Sequence, residues 1–271
     1  MDLQTIRRQA EAIAREAGTI LMQYYNRPHQ ETVKGGITDI VTEADPASET
    51  LIVARLRAAF PDHHIVTEES GHLGADEDGA AYAWHIDPLD GTVNFANNIP
   101  HFAVSMGLAE RNGHPLVGVI YNPVADELFS AARGHGVTLN DKPIQVSPIT
   151  DLQRAILCTG FPYDSAINPN NNLREWMQFI QYTRGLRRFG SAALDLAYVA
   201  AGRFDGYWEQ RIHSWDCVAG IVCVEEAGGQ VSDYHGQHSE KLYSGREVVA
   251  SNGQIHAAMV DILREAQTLP G

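Results

Sequence analysis

The chain has 271 residues, enough for one large domain or two lobes around an ample core. Its composition is ordinary for a soluble globular protein, and 20 basic against 34 acidic residues leave a formal charge of −14, which disfavours non-specific binding to nucleic acid or to anionic membranes. No segment is long and apolar enough to cross a bilayer, the Met1-Asp2-Leu3-Gln4-Thr5-Ile6-Arg7-Arg8 start has no apolar signal core, and Cys158, Cys217 and Cys223, an odd set without close pairs, predict reduced thiols and a cytoplasmic location.

Leu3, Ile6, Ala10, Ile13, Ala14, Ala17, Ile20, Leu21 and Tyr24 keep helical spacing and predict a first helix. Val33 to Thr42 reads as irregular or extended, bending at Gly35-Gly36. Asp45-Pro46 predicts the start of a second helix, with Asp45 as N-cap and Pro46 at the first helical position. Leu51, Ile52, Leu56 and Phe60 give that helix an apolar face, and Pro61 stops it. His64-Ile65-Val66 is a short strand running into Thr67-Glu68-Glu69-Ser70, and Gly71 to Gly79 reads as a polar, acidic loop. Ala81 to Ile86 is extended and closes at Asp87, because Pro88 disfavours the helical region for the residue before it. Phe102, Val104, Met106 and Leu108 alternate as a strand, Asn112-Gly113 turns a hairpin, and Leu116 to Tyr121 returns. Glu127 to Ala132 and Val137 to Val146 form another pair across Arg133-Gly134-His135-Gly136. Pro148-Ile149-Thr150-Asp151 is the best boundary between an α+β lobe, about residues 1–147, and an α/β lobe, about residues 148–271. Beyond it, strands at Ala155 to Thr159, Asp205 to Glu209, Gln230 to Asp233 and Val248 to Ser251 alternate with helices. Those helices are Leu173 to Tyr182, Ala192 to Ala201 capped by Ser191, Trp215 to Ala227 closed by Gly228-Gly229, and Gln254 to Ala266.

The chemistry concentrates in Trp84-His85-Ile86-Asp87-Pro88-Leu89-Asp90-Gly91-Thr92-Val93-Asn94-Phe95. Strand, acidic turn and helix start follow one another there. Side-chain oxygens, which suit hard cations such as Mg²⁺, therefore stand beside backbone N–H groups that can bind phosphate. Asp-Pro and Asp-Gly are also common turn chemistry. The case rests on five acidic positions at element ends, where sites are built: Asp45, Glu68 with Glu69, Asp87, Asp90 and Asp216. Taken singly, Asp45 can be a helix cap, Glu68-Glu69 a solvated loop, and Asp216 an acid answering a helix macrodipole. Taken together they call for a shared cation.

Other polar clusters read as surface. His63-His64, His235 and His238 lack zinc-motif spacing. Asp76-Glu77-Asp78-Gly79 lacks the remaining ligands of a Ca²⁺ loop, and Arg187-Arg188 reads as a surface or interface feature rather than a phosphate clamp. His213, close to Asp216, is a rim position without a role.

Thr67-Glu68-Glu69-Ser70, Ile86 through Phe95 and Trp215-Asp216-Cys217-Val218-Ala219-Gly220 together resemble the ordered signatures of the inositol monophosphatase family. The similarity extends over nearly the whole chain, including Val33-Lys34, Asp39-Ile40-Val41-Thr42 and Phe189-Gly190-Ser191-Ala192-Ala193. It implies an α/β fold, a layered α/β/α/β/α sandwich, and a homodimeric, Mg²⁺-dependent, Li⁺-sensitive phosphomonoesterase with two or three Mg²⁺ per site. By this resemblance Glu68, Asp87 and the Leu89 carbonyl hold a first metal, and Asp87 bridges to a second held also by Asp90 and Asp216. Gly91 and Thr92 bind phosphate through backbone N–H groups, while the Thr92 hydroxyl and Asp45 orient the attacking water with help from Glu68. Gly190, Ser191, Ala192 and Glu209 line the substrate side together with Glu68, Leu89, Asp90 and Asp216, Glu209 accepting hydrogen bonds from inositol hydroxyls. Lys34 lies near a loop that the family folds over its metals, where its charge has a role. Val93 departs from the pattern, since many relatives carry a second Thr there.

The expected reaction is direct attack of metal-activated water on a small-molecule phosphate ester, without a Cys, Ser or His nucleophile; the substrate expected is myo-inositol 1-phosphate. Histidinol phosphate, fructose 1,6-bisphosphate and a nucleotide 3′-phosphate are the alternative substrates within the same chemistry. A non-enzymatic role as a transcription antitermination partner is the alternative outside it.

Overall fold

In the computed structural model, which describes residues 2–29, 31–36, 39–77 and 79–268, the Asp2 carboxylate accepts from the Gln4 N–H and opens α1 (Leu3–Tyr24). The expected stripe of Ile6, Ala10, Ile13, Ala14, Ala17 and Leu21 is its buried face. The segment read as irregular or extended is a hairpin of β1 (Thr32–Gly36) and β2 (Asp39–Val41); Ile37 and Thr38 lie outside the described residues. Helix α2 (Ala44–Ala59) begins one residue before Asp45, so Asp45 is not its N-cap. It stands in the first turn, where N–H groups have no helical partner and both an acid and Pro46 are tolerated. Its Oδ2 reaches back to the Thr42 N–H at 2.9 Å.

The next strand, β3 (His64–Thr67), does not lead into a loop. It pairs antiparallel with β4 (Gly71–Gly74) from His64↔Gly74 to Thr67↔Gly71. The loop reading of Gly71 to Gly79 fails over those four residues because cross-strand pairing outweighs local polarity; Asp78, in the same stretch, lies outside the described residues. Strand β5 (Tyr82–Asp90) continues past Asp87, where an end was expected. Its ladder with β6 (Ala103–Glu110) jumps from Asp87↔Ser105 to Asp90↔Ala103, a bulge that accommodates Pro88 and its missing N–H. Between them lies α3 (Thr92–Ala96). There follow β7 (Pro115–Asn122), β8 (Glu127–Ala132), β9 (Val137–Leu139) and β10 (Lys142–Pro143). Val137 to Val146 is not one strand, because Asn140 and Asp141, both at positive φ, fold it back on itself.

The second half runs β11 (Ile156–Thr159), α4 (Leu173–Tyr182), β12 (Gly185–Arg187), α5 (Ala192–Ala200), β13 (Gly206–Gln210), α6 (Ser214–Glu226), β14 (Gln230–Ser232), α7 (Glu240–Tyr243), β15 (Glu247–Ser251) and α8 (His256–Thr268). The short β12 and α7 escaped the sequence reading, being briefer than a periodic signal needs.

Eight strands form one sheet in the order β10-β9-β8-β7-β6-β5-β3-β4, in which only β3 and β5 run parallel. Five strands form the other, ordered β12-β11-β13-β15-β14. Helices α1 and α2 cover one face of the large sheet through Leu21, Ile52, Leu56 and Trp84. Helices α5 and α6 fill the space between the sheets, where Ile120 and Phe129 of one meet Leu194, Ile221 and Tyr207 of the other side in one buried cluster. Helices α4 and α8 close the outside of the small sheet through Phe179, Trp208, Met259 and Leu263. The result is the five-layered α/β/α/β/α arrangement that the resemblance implied. The middle layer sits very close to the large sheet: a Cβ on Gly118 of β7 would meet the Ala219 carbonyl oxygen of α6 at 2.1 Å.

Candidate active site

Because β3 and β5 are parallel, their C-terminal ends lie side by side. Thr67 pairs with Ile86, and the Glu68 N–H donates to the Ile86 carbonyl at 3.3 Å, which brings Glu68 next to Asp87. The bulge in β5 then presents Asp90 to the start of α5, and α6, lying against β5, β6 and β7, delivers Asp216 from its first turn. One oxygen from each of Asp87, Asp90 and Asp216 lies within 4.8 Å of the others. Asp87 and Asp90 are buried and Asp216 is half-buried.

Each carboxylate is held from behind. Asp87 Oδ1 accepts from the Leu89 N–H at 2.9 Å. Asp90 Oδ2 accepts from the Ser191 hydroxyl at 2.5 Å and the Ala193 N–H at 2.8 Å, the opening groups of α5. Asp216 Oδ2 accepts from the His213 N–H at 2.6 Å in a reciprocal cap of α6. Helix starts favour negative charge, yet removal from water dominates. Burial pushes Asp90 up to about 6 against the pull of Ser191 and Ala193. Burial, with Glu68 and the neighbouring aspartates adding, drives Asp87 and Asp216 well above the ordinary carboxylate range. A divalent cation among them would relieve both the burial and the repulsion, and an all-oxygen donor set suits a hard one.

Helix α2 supplies the next shell. Asp45 Oδ2 accepts from the Thr42 N–H and hydroxyl, while its Oδ1 lies 3.1 Å from the Thr92 Oγ1, which is also 3.0 Å from the Leu89 carbonyl. Burial pushes the Asp45 carboxyl up to about 7. Four residues on, Glu49 is buried and accepts from the Thr67 hydroxyl, the Glu69 N–H at 3.0 Å and the Ser70 hydroxyl. It therefore fixes the turn that carries Glu68. Lys34 reaches over from β1 and pairs with Glu68 at 3.1 Å and Glu69 at 2.6 Å. Burial works to lower its pKa, but the two glutamates outweigh burial and leave it raised.

A cavity of about 170 Å³ opens in front of the carboxylates. Asp90, Gly91, Thr92, Gly190, Ser191, Ala192, Glu209 and Asp216, all expected from the sequence, line it. Asp45, Glu68, Asp87 and Leu89 are not among the residues that border it. Val93 lines it as well. Glu209, buried on β13, accepts from the Tyr207 hydroxyl at 2.5 Å, and burial pushes its carboxyl up to about 7. Gly160 leaves the space for it: a Cβ there would lie 1.9 Å from Glu209 Oε1.

Sequence reasoning missed Glu49, Gly160, Arg188 and Asp195. Arg188 was read as a surface or interface feature; it is exposed but borders the cavity and lowers the pKa of Glu209 against the effect of burial. Asp195, in the first turn of α5, also borders it, with burial raising its carboxyl well above the ordinary range. The available signal was spacing: Glu49 follows Asp45 by four residues and Asp195 follows Ser191 by four, one helical turn in each case.

The inositol monophosphatase family model matches residues 2–268. The chain is 45% identical over 262 residues to the inositol-1-monophosphatase of Synechocystis sp., covering 97% of this chain and 90% of that protein. It is 43% identical over 254 residues to the Nus factor SuhB of Pseudomonas aeruginosa, covering 93% of each. Among solved structures, the inositol monophosphatase from Anabaena (Nostoc) sp. PCC 7120 superposes with a TM-score of 0.87 at 44% identity, covering 98% of this chain and 97% of that one.

Proposed function

The chain belongs to the inositol monophosphatase family and is a phosphoric monoester hydrolase; from that premise we propose that it hydrolyses myo-inositol 1-phosphate to inositol and phosphate, with Mg²⁺ as its cation. The observation that carries the reading is the convergence of Asp87, Asp90 and Asp216 oxygens within 4.8 Å, beside a cavity that Glu209 also lines. Those three, with Glu68 and the Leu89 carbonyl, are the residues that would hold two or three Mg²⁺. Bound there, the ions supply positive charge that neutralises the phosphate dianion, acidifies the attacking water and stabilises the leaving oxygen.

The protein's own groups do the rest. Asp45 Oδ1 and the Thr92 hydroxyl, 3.1 Å apart, orient the water, and Asp45 takes up its proton as the P–O bond forms. Gly91 and Thr92, at the start of α3, offer backbone N–H groups to the phosphoryl oxygens. Glu209 accepts hydrogen bonds from ring hydroxyls, with Ser191 and Ala192 closing the substrate side. Cys158, Cys217 and Cys223 are all buried, and burial raises every one of their thiols. None offers a thiolate, which supports attack by water without a phosphoenzyme.

Purified protein with Mg²⁺ and a panel of inositol 1-phosphate, histidinol phosphate, fructose 1,6-bisphosphate and a nucleoside 3′-phosphate tests the substrate. Inositol 1-phosphate should have the highest kcat/KM and its hydrolysis should be inhibited by Li⁺. A better ester elsewhere in the panel would overturn the substrate and spare the chemistry.

Two associations belong to the same proposal. Leu173, Met177 and Ile180 stand exposed along one side of α4, which supports a homodimer built on an apolar helix face. The relative named Nus factor SuhB supports a second role in transcription antitermination. Pull-down from cell extract with an Asp90→Asn variant separates that role from catalysis. Buried, unpaired cysteines support a reducing, cytoplasmic location; among the described residues no helix is long and apolar enough to cross a membrane.

A further inference from the structure

The N-terminal end of β3 gathers a second set of ligand-bearing side chains. His64 faces Gly74 and Val66 faces His72 across the β3–β4 ladder, so both imidazoles rise from one face of the hairpin. His64 Nε2 lies 3.0 Å from His72 Nδ1, and His72 Nδ1 lies 3.4 Å from Glu77 Oε2. One ligand atom from each of the three falls within 4.8 Å of the others. Zn²⁺ held tetrahedrally at about 2.0–2.1 Å from nitrogen has neighbouring ligand atoms roughly 3.3 Å apart. The observed separations are close to that edge.

The His64 ring is already oriented for such a role. Its Nδ1 is 2.8 Å from the Ala75 carbonyl. A carbonyl only accepts, so Nδ1 carries the proton and the Nε2 lone pair points at His72. A backbone carbonyl behind an imidazole sets the tautomer of a metal ligand in this way. His64 is only 5% exposed and gives a rigid anchor, whereas the His72 and Glu77 side chains are 58% and 69% exposed and leave the site open to solution. A cavity of about 210 Å³ bordered by His64, Glu77, His85 and Glu110 leaves room for water. His85 itself is engaged elsewhere, its Nδ1 2.9 Å from the Ser214 hydroxyl.

We propose that His64, His72 and Glu77 form a second cation site, separate from the acidic one, that takes a borderline transition ion such as Zn²⁺ through two imidazoles and one carboxylate. Imidazole donors favour Zn²⁺, Ni²⁺ or Co²⁺ over Mg²⁺, so the ion that suits the aspartates does not fill this site. Loading ties β4 and the segment after it to β3, and β3 ends at Thr67, just before Glu68, which lies four residues or roughly 13 Å from His64. The ion therefore stiffens the strand leading to the acidic site without touching that site.

Calorimetric titration of the full chain with Zn²⁺ in excess Mg²⁺ tests this, with Co²⁺ visible absorption reporting imidazole coordination. Wild-type protein should take up one Zn²⁺ per chain and rise in Tm. In His72→Ala the affinity should fall at least about 100-fold and the Tm rise should vanish; Glu77→Gln should weaken binding less. His72 is exposed, so its replacement should fold and keep the Mg²⁺-supported phosphatase rate within about twofold of wild type. Absence of Zn²⁺ uptake in wild type overturns the proposal. So does uptake that persists unchanged in His72→Ala or that is lost in Asp216→Asn alone.

Discussion

The two ends of β3 carry clusters of opposite character. At its C-terminal end, Asp87 and Asp90 of β5 meet Asp216 from the distant start of α6, and burial holds their carboxyls up. At its N-terminal end, His64, His72 and Glu77 come from one hairpin and the turn after it, and two of the three are exposed. Buried carboxylates press on one another and on the fold, because burial strips water from their charge and sets like charges side by side. In the histidine cluster two of the three side chains, Glu77 among them, keep their water, so no such penalty arises there. The acidic centre therefore needs the whole architecture to hold it together, and the histidine cluster needs only a local turn. Chemistry on a phosphate dianion calls for the first kind.

The comparison breaks most readily at the acidic end. Replacing Asp87 or Asp216 by Asn should cut turnover by about 10³-fold or more, since several kcal/mol of transition-state stabilisation is lost. Far-ultraviolet circular dichroism should stay that of wild type. A near-normal rate in either variant would remove these residues from the metal site. Thr92→Ala should lower kcat by roughly 10²-fold with little change in KM, as expected for a group that orients the proton acceptor; an unchanged kcat would detach Thr92 from the water. Glu49→Gln touches neither substrate nor cation, yet it loosens the turn at Glu68 and Glu69. A fall in kcat of about tenfold, with the pH profile unmoved, would mark it as a positioning residue.

The smallest effect concerns Glu209, where burial pushes the carboxyl up to about 7. The folded protein then holds that proton more tightly than the unfolded chain. Its contribution to stability is full at acid pH, below the ordinary carboxylate value, and is lost as pH rises through about 7. Glu209→Gln removes this titration. Wild-type Tm should therefore fall relative to the variant between pH 5 and 8, and parallel curves would show that Glu209 ionises as an ordinary glutamate. The same variant should raise KM for inositol phosphates more than it lowers kcat.

What the sequence revealed was local. The acidic motif from Asp87 to Thr92 occupies one short stretch, and helix α1 repeats its apolar residues for six turns, so both were legible. Asp216 was legible as an acid at a helix start, though not its distance from Asp90. Glu49 was hidden because the apolar residues of α2 defined the helix, and a buried acid among them had no visible partner until the Thr67–Ser70 turn folded over it. The meeting of His64 with His72 was hidden for a related reason. Their contact depends on β4, whose Gly71-His72-Leu73-Gly74 has too little patterning to announce a strand. Spacing rules for metal ligands find pairs on one element and are blind to pairs made across a ladder. The Asp45 cap was misassigned by two residues, the N-cap being Glu43, because an acid in the first turn and an acid at the cap meet the same unpaired N–H groups.

The close seat of α6 on the large sheet has a consequence for measurement. At the Gly118–Ala219 contact the helix bearing Asp216 meets the sheet bearing Asp87 backbone to backbone, with no side chain between them. An ion held by those two carboxylates would act as a rivet between layers, and helix amide protons well away from it should then exchange with deuterium more slowly when Mg²⁺ is added.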